Sequence, residues 1–134
     1  NNPGGTWNLK AVFWHQGEAD SHADFGGDVR SVAYETNLRN LLYRFRTDLP
    51  AVPFIAGEIR DQVPDTTGST VWPNPFAVTV NGVFSTLAND VNVLDFYVVE
   101  TSDLAWNGGP PNYDVHMGLA GLRPMGERMV EKYQ

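Results

Sequence analysis

Three short, nearly apolar runs, each followed by a stretch of helical periodicity, constrain this chain more than any other feature. The runs are "LKAVFWH" at residues 9–15, "VPFIAGEI" at 52–59 and "VNVLDFYVV" at 91–99. Their length and β-branched or aromatic content predict buried strands. After the first run, Tyr34, Leu38, Leu41, Leu42, Phe45 and Leu49 recur at helical spacing, with Glu35, Arg39, Arg44 and Arg46 on the other side and Pro50 as a stop. After the second, Phe76, Val80, Val83, Phe84, Leu87 and Val91 form another stripe, with Pro75 suited to its first turn. Leu122, Met125, Met129 and Tyr133 mark a last helix with Pro124 near its start. Residues 61–75 and 102–114 are rich in Gly, Pro, Asp and Thr and read as surface loops. Strands alternating with one-faced helices specify an α/β fold, a parallel sheet of about three strands covered by helices. The whole of residues 1–134 reads as one domain. Parallel sheets need cover on both faces and rarely stop at three strands, so the pattern reads as part of a larger sheet.

Composition narrows the function. A formal net charge of −7 without a Lys/Arg cluster argues against nucleic acid as a partner. The absence of cysteine removes disulfides and thiolate metal sites. No apolar run has membrane-spanning length, so no membrane partner is expected, and no cofactor is implied by any motif.

In open α/β sheets ligands sit beyond the carboxyl ends of the strands. The first run ends in His15, Gln16, Gly17 and Glu18. The second ends in Glu58, Arg60 and Asp61. The third ends in Glu100, Ser102 and Asp103, and its loop leads to Asp114 and His116. Chemically capable groups therefore gather at one predicted edge. An Asp beside a His can fix its tautomer and stabilise the imidazolium formed when it takes a proton. His15, Glu18, Asp20, His22 and Asp24 offer imidazole and oxygen ligands, but their spacing matches no metal motif, so no metal is predicted.

"WHQGEAD" at residues 14–20, with "YDVHMGLAGLRPMGERM" about a hundred residues later, closely resembles the sialate O-acetylesterase-like branch of the SGNH/GDSL hydrolases. That branch includes carbohydrate esterase family six, the acetylxylan esterases. The resemblance extends through "YETNLRNLLYRFRTDLPAVPFIAGEI". It implies a three-layer, flavodoxin-like fold and hydrolysis of O-acetyl esters on sugars, in a secreted or periplasmic setting. It implies that His116 is the general base and then the general acid. Asp114 would orient it, although many members place this Asp three residues before the His, where this chain has Tyr113. Glu18 is the rival acid partner. Gln16 would donate to the tetrahedral oxyanion, and Gly17 would let the backbone turn closely.

The family nucleophile is a serine in a "GQSN"-like turn after an earlier strand, and neither is found in this sequence. Of the serines present, Ser31 and Ser85 fall on predicted helices, and Ser69 and Ser102 lack a nucleophile turn. Ser21, which follows the key block, is the remaining nucleophile candidate. The chain therefore reads as a C-terminal or truncated part of such an esterase. The missing strands would leave the first run with an open edge, so pairing with an N-terminal segment or self-association is expected. The alternative is a non-catalytic carbohydrate-binding or interaction fragment of the same fold, with Trp14, Trp72 and Trp106 available to stack on sugars.

Overall fold

The structure, a computed structural model, describes residues 8–49, 51–60, 62–64, 70–73, 75–104, 108–109, 112–113, 117 and 119–134. Its central sheet is β1 (Val12–Trp14), β2 (Phe54–Gly57) and β5 (Phe96–Val99), all parallel, in the order β1-β2-β5. Val12 lies opposite Phe54, which lies opposite Phe96, so one register runs across the three strands. The side chains alternate between faces. Phe54, Ala56 and Phe96 pack on one side with α2 (Gly27–Asp48) and α3 (Ala77–Ala88). Ile55 and Val99 pack on the other side with Met117 and with Met125 and Met129 of α4 (Leu119–Tyr133). The expected three-layer α/β arrangement with three parallel strands is present, consistent with part of an SGNH-type fold. Among the described residues no helix is long and apolar enough to cross a membrane.

The two apolar layers differ in kind. The α2/α3 side is aromatic, with Phe54 stacked on Phe96 at 5.4 Å and Tyr34 edge-on to Phe84 at 5.9 Å. The α4 side is built around the chain's three methionines.

Several boundaries differ from the sequence reading. The third strand begins at Phe96, not at residue 91, because the Asp90 carboxylate accepts the Asn92 backbone N–H at 2.9 Å and curls the chain into a turn. Val91 is consequently outside the helical stripe and 88% exposed. Gln62–Pro64 (β3) and Thr70–Pro73 (β4) form an antiparallel hairpin where a loop was expected. The β-branched and aromatic content of "TVW" outweighs the surrounding prolines there. In the second expected loop Gly108–Gly109 (β6) pairs with Asn112–Tyr113 (β7). In α4 the buried ridge is Gly121, Met125 and Met129, while Leu122 and Tyr133 are each 42% exposed. α4 packs over β2 and β5 of the sheet, and a single i, i+4 ridge covers them. Pro124 lies in the second turn of α4, and its missing N–H removes one intrahelical bond.

Candidate active site

The three parallel strands deliver their carboxyl ends to one edge, as the sequence predicts. β1 ends at Trp14, and His15, Gln16 and Gly17 carry the chain into the short helix α1 (Glu18–Ser21). Gly17 has φ 134°, a backbone that L side chains rarely adopt. A Cβ on it would lie 2.8 Å from Val80 Cγ1 and 3.3 Å from the Tyr34 hydroxyl. This turn therefore strongly favours glycine, and it brings the backbone down onto Tyr34 of α2 and Val80 of α3.

Gln16 is half-buried and bonded at both ends of its amide. Nε2 donates to Asp20 Oδ2 at 2.9 Å. Oε1 lies 3.1 Å from the Tyr34 hydroxyl, which also lies 2.9 Å from the Gln16 carbonyl. The Trp14 indole N–H donates to the same hydroxyl at 3.2 Å. Burial pushes the Tyr34 phenol up to about 12. Glu18 Oε1 lies 3.8 Å from His15 Nδ1, with both side chains largely shielded. The His15 ring packs close to the backbone of Gly57, where a Cβ would come within 3.2 Å of it.

The ends of β2 and β5 are tied together. Glu58 N–H donates to the Val99 carbonyl at 3.0 Å, and the Thr101 hydroxyl donates to the Glu58 carbonyl at 2.8 Å. Desolvation, with Glu100 nearby, pushes the Glu58 carboxyl above the ordinary carboxylate range. Asn81, in the middle of α3, accepts from Ile59 N–H at 3.0 Å and donates to the Ile59 carbonyl at 2.8 Å. Arg128 of α4 bonds Asp103 through two nitrogens, at 2.8 and 2.7 Å, and also reaches the Glu100 carbonyl. This pairing holds the Asp103 carboxyl down to about 2.

Of the residues singled out in the sequence, Gln16, Gly17 and Glu18 stand together on the β1–α1 turn. His116, Asp114 and Asp61 lie outside the described residues, as do Ser69 and Trp106, and the side chain of Trp72 is likewise not described. Ser21 is fully buried and its hydroxyl donates to the Glu18 carbonyl at 3.0 Å, so it serves the first turn of α1. His22 is 2% exposed, and its Nδ1 accepts the Asp24 N–H, which caps the following single-turn 3-10 helix. Among the described residues no three His, Asp or Glu converge as metal ligands. By sequence alone Tyr34 reads as one residue of a core stripe, and Asn81 does not stand out. The clue to Asn81 was an amide inside the otherwise apolar stretch "AVTVNGVF".

Compared with models of protein families, residues 2–134 match the one described as carbohydrate esterase, sialic acid-specific acetylesterase. The chain belongs to this family. No curated protein and no solved structure matches it. Membership makes the crowded sheet edge the place to look for ester chemistry, since acyl transfer needs donors, a base and an acid in one place.

Proposed function

We propose that this protein hydrolyses O-acetyl esters on sugars by serine-type acyl transfer at the carboxyl edge of the sheet. One observation carries the reading: in a chain of an acetylesterase family, the Gln16–Gly17–Glu18 turn sets a side-chain amide donor and an acid at the end of a parallel strand. In this reading Gln16 donates to the oxygen that becomes negative in the tetrahedral intermediate. His116 takes the proton of the attacking hydroxyl and returns it to the leaving sugar oxygen. Asp114 or Glu18 orients His116. The nucleophile is a serine on a chain segment that pairs with the outer edge of β1. In support, β1 pairs on one side only among the described residues, and Phe13 on it is 52% exposed.

Turnover of p-nitrophenyl acetate and of an O-acetylated sugar tests the proposal. His116→Ala is expected to abolish turnover, and Gln16→Ala to lower kcat by roughly a hundred- to thousandfold. Turnover that survives His116→Ala would sink the assignment.

A second reading is a non-hydrolytic binder of acetylated carbohydrate. It is favoured by the burial of Ser21 and Ser31 and by the position of exposed Ser85 on α3, away from any strand-to-helix turn. Saturable binding of an O-acetylated sugar without turnover, and without labelling by a serine-directed phosphonate, would select it.

A further inference from the structure

We propose that Asp20, Tyr34 and Trp14 are positioning residues that clamp the Gln16 carboxamide in one orientation, committing one of its N–H bonds and presenting the other to the acyl oxygen. The proposal rests on the reading of Gln16 as oxyanion donor.

A glutamine amide is nearly symmetric in shape, and only its partners decide which end faces where. Here the Asp20 carboxylate decides it, and Tyr34 is compatible with that choice. The indole N–H of Trp14 can only donate, and it does so to the Tyr34 hydroxyl at 3.2 Å. The single Tyr34 proton is thereby aimed at Gln16 and shared between its backbone carbonyl at 2.9 Å and Oε1 at 3.1 Å. Asp20, as a carboxylate, can only accept, and its Oδ2 lies 2.9 Å from Nε2. Rotating the amide by half a turn would set oxygen against oxygen at Asp20. Tyr34 keeps its proton at every ordinary pH, because burial holds it at about 12. Gly17 is part of the device, since a Cβ there would crowd the Tyr34 hydroxyl at 3.3 Å.

The need for such a clamp follows from the chemistry. An oxyanion donor is effective when it is already oriented before charge develops. A glutamine side chain on a surface turn has several rotatable bonds to immobilise. Bonding Oε1 and one Nε2 hydrogen removes that freedom and leaves a single unassigned N–H. These residues, together with Asn37, Leu38 and Leu41 of α2, line a cleft of about 290 Å³ beside Gln16.

Side-chain amide NMR of the protein tests this directly. The two Gln16 Nε2 protons should be well separated in shift and exchange with water at least about tenfold more slowly than those of exposed Gln134. Tyr34→Phe and Asp20→Ala should each collapse that protection, and Asp20→Asn, which keeps an acceptor, should restore part of it. In ester turnover Asp20→Ala should lower kcat about tenfold with KM little changed, and the loss should vanish in a Gln16→Ala background. A thermal melt of each variant separates these effects from unfolding. Gln16 protons in the wild type that exchange as fast as those of Gln134, with Gln16→Ala still defective, would overturn the clamp and leave the esterase reading standing. Full turnover by Gln16→Ala would take down the oxyanion role and the clamp's purpose together, whatever the amide spectra show. An Asp20→Ala defect undiminished in the Gln16→Ala background would place Asp20 in some other task.

Discussion

Gly17 is the residue on which the site geometry turns. Its φ of 134° and its 2.8 Å approach to Val80 leave no room for a methyl group. Gly17→Ala is expected to cost about 2–4 kcal/mol, from left-handed strain and overpacking combined. Urea denaturation would measure it, and a loss below about 1 kcal/mol would mean the turn can relax. Glu58 behaves differently. Its carboxyl is raised by desolvation and by Glu100, so the folded chain holds that proton more tightly than the unfolded chain does. The resulting stability is fully present below the ordinary value of 4.5 and is lost as pH rises through the raised one. Glu58→Gln should therefore raise the melting temperature at neutral pH and leave it unchanged below about pH 4. Equal effects at both pH values would show that Glu58 is not strained by its surroundings.

At the scale of elements, β1 is the exposed member. It pairs only with β2 among the described residues, and Phe13 stands half-exposed beside Leu9 and Tyr133 in an apolar recess of about 410 Å³. An open parallel edge with an apolar flank is a template for another strand. We propose that isolated chains self-associate through it. Light scattering should show mass rising with concentration, and Phe13→Glu should suppress the rise; a concentration-independent monomer would count against the idea. The elements themselves were largely legible. All three strands and the stripes of α2 and α3 follow from periodicity, with Tyr34, Leu38, Leu42, Val80, Val83, Phe84 and Leu87 interior, but only β2 is buried throughout, since Phe13 of β1 and Tyr97 of β5 face outward. What escaped the sequence was decided by contacts between distant segments. The β3–β4 hairpin needs each strand to find the other. The outward turn of Leu122 and Tyr133 follows from α4 packing on β2 and β5 through the Gly121, Met125 and Met129 ridge. At the site, "HQGE" pointed to the right turn, but nothing local linked Gln16 to Tyr34, eighteen residues away.

For the molecule as a whole, the sheet separates two layers of unequal chemistry. One is aromatic and cross-braced, and the other rests on thioethers. Met117, Met125 and Met129 are only 4–6% exposed, and they are the chain's full complement of methionine. Peroxide converts methionine to a polar sulfoxide that a packed layer accommodates badly. The layer is therefore expected to act as an internal clock. A closed molecule resists oxidation, while each excursion of α4 away from the sheet lets oxidant in, and each addition makes the next excursion easier. Mass spectra of peroxide-treated protein should accordingly split into unmodified and triply oxidised populations, with few molecules between. A ladder of single and double additions would mean the three sulfurs are reached independently. If the sharp split is found, dilute peroxide becomes a way to time the opening of α4, the helix that follows His116 in the sequence.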